Sequence, residues 1–496
     1  MELLIGDLLA SAATLDPHGI AATLGEREVT FADLDASADL LAAALAAAGV
    51  GRGDIVAWWS PPSLTSIAGF AASARVGAVF ASLNPAFSDT EASSALDYLQ
   101  PRLLVAGEGL AERASAVFTG VSVVIDADGR SPLPSLVTLA QQAQGALAPV
   151  NLDGSDPHIV YLTSGTTGAP KGVVVSHSAS WLRAFPGGST FADGLRGDGG
   201  ILAAFPLFHY GGWHYVLESW HHRCAFHACD RFDGETLASV ASRRRPSAMY
   251  CIPAVWERVL ESAKGEELSS ILHADTGTSA APPDLLARLK ERMPQATTSV
   301  LYGSTEGGHH TTLLDRDIPD HPGSVGRAAP PGIIRVDGTG EVLYRSPTVM
   351  TGYLNRAEET EAALRDGWYH TGDLGVMDER GYLYITGRVR EVIRTGGETV
   401  SPAEVEAALR GYPGIEDVAV VGIADRTWGE TVTAAVVCAP GHAVPAVGDL
   451  RDHIGARLAP YKHPRAVVAV ERIPRTPATG QVQRTLLRDL LVEDRT

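Results

Sequence analysis

The sequence predicts an α/β fold with a large N-terminal domain on a largely parallel sheet and a small α+β domain behind it. Short apolar runs at 54–59, 75–82 and 103–106 alternate with helical stretches, the pattern of strands covered on both faces by crossover helices. At 496 residues the chain is longer than one core usually organises. A helix-opening pattern at Ser401-Pro402-Ala403-Glu404 starts a fresh run of elements near the C-terminus.

Taken in order, Glu28-Val29-Thr30 reads as a strand end. Thr30 then caps a helix with Asp33 in its first turn, running to Gly49. The domain boundary falls near Gly387-Arg388-Val389-Arg390, dividing the chain into 1–387 and 388–496. Beyond it, Ser401 as N-cap, Pro402 at the first helical position and Glu404 at the third form a capping box, and that helix stops at Gly411. Strand-like Val418–Val421 and Thr433–Val437 follow, then a helix around Asp449–Leu458.

Composition narrows the function classes. With 45% apolar and 20% charged residues the chain is an ordinary globular one. A net charge of −18 argues against a nucleic-acid partner, which calls for basic patches. The N-terminus lacks a basic segment followed by an apolar one, so no signal peptide is expected. No apolar run reaches the roughly 18 residues of a membrane span. Four Cys are too few for a disulfide framework, and a reducing cytoplasm is the expected compartment. His221, His222, Cys224, His227 and Cys229, with His209 and His214 upstream, suggest metal ligands. Read as a strand, however, 224–229 sends Cys224 and His227 to opposite faces, so no metal is expected there.

The chemistry-bearing segment is Tyr161-Leu-Thr-Ser-Gly-Thr-Thr-Gly-Ala-Pro-Lys171-Gly. Thr163, Ser164, Thr166 and Thr167 bring hydroxyls, while Gly165, Gly168 and Gly172 let backbone N–H groups turn toward an anion. Lys171, one of only four lysines, adds a compact positive charge. Apolar flanks at Ile159–Leu162 and Gly172–Val175 make the loop a connection between two strands. Its spacing departs from the Walker pattern, yet the inventory is that of a nucleotide-phosphate site.

This loop resembles the signature of the adenylate-forming superfamily, which includes acyl-CoA and aryl-CoA synthetases. Further segments resemble that family in its own order: Phe205–Gly212, Leu301–Glu306, Tyr369–Gly375, Gly387–Glu406 and Ile473–Arg488. The resemblance implies a large domain of doubly wound sheets with a small barrel-like subdomain, then a mobile C-terminal domain turning about Arg390. It implies ATP, Mg²⁺ and coenzyme A, acid adenylation followed by thioester formation, and a small-molecule acid or amine as substrate. A homodimer is left open.

On the same basis Tyr302 and Gly303 meet adenine with Gly277, Thr278 and Ser279, while Thr305 reaches the α-phosphate. Glu306 and Thr166 hold the metal. Asp373 accepts the ribose hydroxyls, backed by Arg388. His209 is the gate between acid pocket and thiol tunnel. Trp181, Tyr210, Gly211, Leu301, Gly303, Gly308 and His309 line the acid pocket, an aromatic and imidazole-rich set that suits a small aromatic or polar acid. Gly396, Gly397, Trp428, Tyr461 and Arg465 border CoA.

One position departs from the pattern. The family carries a catalytic lysine after Thr-Gly near the C-terminus, and here Thr479-Gly480 is followed by Gln481. Glutamine donates a hydrogen bond but brings no charge, a loss of about 10²–10³ in rate. Gln481 is then a substitution that holds an intermediate, or a change offset by another group such as Lys462, or a mark of altered chemistry. Altered chemistry includes a diazotase using ATP and nitrite on an aryl amine; a nucleotide-binding homologue without activity is a further alternative.

Overall fold

The computed structural model of the chain describes residues 2–117, 122–125, 135–142, 150–164, 170–185, 199–389, 391–395, 398–425, 428–455, 457–476 and 480–493. Two compact units emerge. The first comprises Met1–Pro322, Ala328–Ile333 and Tyr344–Tyr369; the second comprises Gly323–Arg327, Ile334–Leu343 and His370–Thr496.

In the first unit the predicted parallel strands form. Pro157–Ser164, Val79–Ser82, Ile55–Trp59, Leu103–Ala106 and Ser122–Ile125 lie side by side in that order, all parallel. Every residue of Leu103–Ala106 is buried, as expected where helices cover both sheet faces. The 75–82 run is not one strand. Arg75 and Val76 finish the helix Leu64–Val76, Gly77 turns at φ 76°, and the strand begins at Val79. A continuous apolar run does not itself mark where helix gives way to strand; glycine in the left-handed region does.

A second sheet orders Thr297–Ser304, His273–Gly277, Ala248–Tyr250, Ile201–Ala203, Phe226–Ala228 and Ile20–Leu24, again parallel throughout. Gly308–Leu313 and Arg27–Thr30 add antiparallel neighbours at its two ends. Thr30 caps the next helix as predicted, its side chain accepting from Asp33 N. Both ring nitrogens of His227 are engaged, Nδ1 with Thr23 Oγ1 at 2.9 Å and Nε2 with Gly199 O at 2.7 Å. The helix Tyr210–His222 packs through Trp213, which stacks on Phe70 at 4.4 Å and meets Phe80 edge-on at 5.0 Å. Phe80 belongs to the first sheet and Trp213 to a helix of the second, so this cluster locks the two layers.

A third sheet, the barrel-like one, orders Ile333–Val336, Glu341–Arg345, Trp368–Met377 and Leu364–Arg365, with Leu383–Arg388 also on Trp368–Met377. The fourth is built on the long antiparallel pair Ile415–Asp425 and Gly429–Cys438, flanked by Ala466–Ala469 and by Ile393–Thr395 with Glu398–Val400. Val405, Leu409, Leu450 and Ile454 cover one face, Leu487 and Leu491 the other.

The capping box at Ser401 is not made. Pro402 opens the helix, but the Ser401 hydroxyl donates to Thr386 O and gives no cap bond, while Glu404 pairs with Lys462 at 2.5 Å. Both side chains take partners distant in sequence, which a local pattern cannot reveal. Among the described residues no helix is long and apolar enough to cross a membrane.

Trp213→Ala should destabilise the first unit by about 3–5 kcal/mol, read as a shift in its urea unfolding midpoint. A loss under about 1 kcal/mol would show that the two layers do not depend on this ring.

Candidate active site

The two strands flanking the segment expected to hold phosphate form a β-hairpin. Pro157–Ser164 and Pro170–Ser176 pair antiparallel from Pro157↔Ser176 to Ser164↔Pro170, so the flanks form the two strands predicted for them. Gly165, Thr166, Thr167 and Gly168 lie outside the described residues. Lys171, next to the loop, pairs with Glu359, and its Nζ stands 5.0 Å from the centre of the Tyr353 ring. Thr163 Oγ1 donates to Lys171 O at 3.3 Å. Gly172 accepts the Leu354 N–H at 2.8 Å and donates to Tyr98 Oη at 3.1 Å, fixing Gly352–Tyr353 along the hairpin edge.

Tyr353 links the hairpin to the Leu301–Glu306 segment. Its hydroxyl donates to Glu306 Oε1 at 2.9 Å, so one phenol lies beneath the lysine and bonds the carboxylate. Thr305 and Glu306 follow the strand Thr297–Ser304 in a tight turn before Gly308–Leu313. That turn needs glycines: a Cβ on Gly303 would stand 2.2 Å from Gly308 O, and Gly308 itself has φ +80°. Its carbonyls are held by Arg183, from the helix His177–Ala184 directly after the hairpin. The two Nη atoms donate to Thr305 O at 3.0 Å and Glu306 O at 2.9 Å, and Nε donates to Thr348 O at 2.7 Å. Arg183 is buried, and among the described residues no carboxylate pairs with it.

The guanidinium also lies 5.0 Å from the Tyr210 ring centre. His209 precedes Tyr210 at the N-cap; burial holds its imidazole down to about 4, and its Nε2 has no partner among the described residues. Tyr210 is pushed up to about 12 by burial. Gly211 abuts the Phe205 ring, where a Cβ would stand 2.6 Å away. Trp181 stacks on Phe185 at 5.1 Å and meets His221 edge-on at 4.6 Å. His309 Nε2 is 2.9 Å from both Thr311 O and Thr312 Oγ1, and Tyr344 Oη donates to His309 O at 3.0 Å.

Gly277 and Leu301 are register partners on adjacent parallel strands, so the Gly277–Ser279 and Leu301–Glu306 segments lie side by side. Thr278 takes φ +70°, rare for a β-branched residue, and its hydroxyl lies 3.1 Å from Tyr250 Oη. Ser279 is exposed. Tyr302 meets His310 edge-on at 5.2 Å.

In the second unit Asp373 and Arg388 face each other across an antiparallel pair, with Nε–Oδ1 at 2.9 Å. The Arg465 guanidinium covers the Trp428 ring at 3.6 Å, while Tyr461 packs against the C-terminal core. Gln481 is exposed on a turn closed by Thr476 N to Gln481 O at 2.8 Å and Gln481 N to Thr476 Oγ1 at 3.1 Å. Arg475 braces that turn, bonding Gly480 O at 3.0 Å and Asp417 Oδ1 at 2.7 Å. Arg390, Gly396 and Gly397 lie outside the described residues.

Sequence reasoning missed Arg183, Tyr353 and Glu359. A usable signal for Arg183 was that it is the only residue with a permanent charge in the helix His177–Ala184, yet it is buried.

Comparison with known proteins agrees with this architecture. Residues 9–354 match the model of the AMP-binding enzyme family, and 404–479 that of the AMP-binding enzyme C-terminal domain. A long-chain-fatty-acid–CoA ligase, FadD13, of Mycobacterium tuberculosis is 32% identical, over 98% of each chain. The indoleacetate–CoA ligase of Aromatoleum aromaticum is 32% identical, over 97% of this chain and 96% of that one. The ATP-bound structure of MatB from Rhodopseudomonas palustris superposes with a TM-score of 0.87 at 28% identity, covering 100% of both chains. The chain belongs to the AMP-binding enzyme family, within the adenylate-forming superfamily, as an AMP-forming ligase.

Proposed function

We propose that the protein activates a small aromatic or polar carboxylic acid with ATP and passes the acyl group to coenzyme A. The observation that carries this is the Lys171–Tyr353–Glu306 arrangement, in which one phenol gathers the phosphate-loop lysine and the acid of the following motif. A substrate carboxylate oxygen attacks the α-phosphorus of ATP, the bond to the β-phosphate oxygen breaks, and pyrophosphate leaves. The CoA thiolate then attacks the acyl carbon, and AMP departs with the electron pair.

In this reading Lys171 and the loop hydroxyls hold phosphate, and Thr305 orients the α-phosphate. Glu306, with Thr166, suits Mg²⁺, a hard cation that binds through one or two carboxylates and substrate phosphates; bound there, it would offset phosphate charge. Tyr302, Gly303, Gly277, Thr278 and Ser279 take adenine, and Asp373 with Arg388 takes the ribose. His209 gates the acid site. Trp428, Tyr461, Arg465, Gly396 and Gly397 take CoA, with 388–496 moving about Arg390 between the two steps.

Gln481 tempers the first step. Lys462 is an unsuitable stand-in for the missing lysine, since Glu404 holds it at 2.5 Å. If another oxyanion such as nitrite replaces the carboxylate, the same phosphate machinery serves an aryl-amine diazotase.

Lys171→Ala should lower ATP-dependent pyrophosphate release by about 10²-fold; unchanged kinetics would remove the loop from the phosphate site. Gln481→Lys should raise acid-dependent pyrophosphate release by about 10²–10³-fold. If the parent protein already turns over fast and lysine adds nothing, the chemistry lies with another oxyanion. Arg390→Pro should slow thioester formation far more than pyrophosphate release, and equal losses would count against domain alternation.

A further inference from the structure

The strand His273–Gly277 leads into a conformation that a threonine seldom holds. Thr278 takes φ +70°, the left-handed region, where a β-branched side chain crowds its own backbone. Strain of that kind persists only where neighbours enforce it, and it gathers at binding and active sites. The neighbour here is Tyr250, whose Oη lies 3.1 Å from Thr278 Oγ1. Gly277 makes the approach possible: a Cβ there would stand 2.1 Å from Leu301 O and 3.0 Å from the Tyr250 hydroxyl.

Tyr250 is itself fixed from several sides. It ends the strand Ala248–Tyr250, in register with Asp275 on one side and Ala203 on the other, and is only 4% exposed. Its ring stacks on Phe205 at 5.1 Å and tilts against Tyr215 at 5.3 Å. Packing thus holds the ring, and the hydroxyl meets the residue that ends the neighbouring strand. Beyond Thr278 the chain reaches the surface at Ser279, while Gly277 lies in register with Leu301. Relaxing Thr278 toward negative φ would re-aim Gly277–Ser279 relative to Leu301–Glu306.

We propose that Tyr250 is a positioning residue for the nucleotide: its hydroxyl holds Thr278 in the left-handed conformation and so keeps Gly277–Ser279 aligned with Leu301–Glu306 for adenine. It acts through Thr278 rather than on the ligand. This rests on the reading of these two segments as the adenine side. Its test is calorimetric binding of MgATP, AMP and inorganic tripolyphosphate to the full chain, with acid-dependent pyrophosphate release followed in parallel. Tyr250→Phe removes the hydroxyl and keeps the ring that packs on Phe205.

Tyr250→Phe should weaken ATP and AMP alike by at least about five-fold and leave tripolyphosphate within about two-fold, because only the adenine side is disturbed. A general loosening of the fold would weaken all three. In a Thr278→Gly background the same change should have no further effect, since glycine takes positive φ unaided. Unchanged ATP binding in Tyr250→Phe, an equal loss for tripolyphosphate, or the full effect persisting in the Thr278→Gly background each overturns the proposal. A parent protein that binds tripolyphosphate but neither ATP nor AMP removes the adenine reading and the role of Tyr250 together. The expected pattern without acid-dependent pyrophosphate release would sink acid activation and leave the role of Tyr250 standing.

Discussion

One buried guanidinium sets the geometry at the centre of the first unit. Arg183 reaches carbonyls of Thr305, Glu306 and Thr348, joining a turn to a segment more than forty residues further along the chain. Charge-assisted bonds of this kind contribute about 1.5–3 kcal/mol each before the cost of burying the cation is set against them. The net gain in stability is therefore small, and the return is positional. With its backbone fixed, Glu306 has a defined place to project from, and Tyr353 meets its carboxylate from the hairpin side.

That cation also sets the tone of its surroundings. His158, His214 and His310 lie in its field, and burial, the larger cause, already holds all three below the usual imidazole range. Tyr161 and Tyr210 are pushed up by the same burial. The region is thus rich in polar atoms while poor in ionised ones. Under the proposed chemistry this is useful: fixed dipoles in a water-poor site act strongly on developing charge, and excluding water protects a reactive anhydride from hydrolysis.

What the sequence made legible follows from how local each signal is. Parallel strands were visible in apolar runs, the hairpin in the flanks of the phosphate loop, and the Thr30 cap in a four-residue pattern, because each depends on near neighbours. The Asp373–Arg388 ion pair was legible only through motif resemblance, since its partners meet across a strand pair. Arg183 escaped because its partners are backbone carbonyls, which have no sequence signature. Ser401 misled for the related reason that Thr386 O, fifteen residues back, outcompeted the local cap. At 75–82 apolar residues served a helix end and a strand alike, and only the φ of Gly77 separated them.

The scaffold around Gln481 sharpens the question of what residue 481 does. Arg475 spans Asp417 and Gly480 O, and two bonds between Thr476 and Gln481 close the turn. An amide there can donate a directed hydrogen bond from a defined backbone; if Gln481 stands where the resemblance implies a lysine, it offers direction without charge. Position alone suffices where the attacking oxyanion needs orientation more than neutralisation. A substrate carboxylate facing a polyphosphate needs both, because two anions must approach to bonding distance. Under the proposed chemistry, Lys171, Tyr353 and Glu306 are gathered on the phosphate side, while the C-terminal turn lacks the charge that the family resemblance implies there. That mismatch places the burden of the first step on whatever oxyanion the acid site admits.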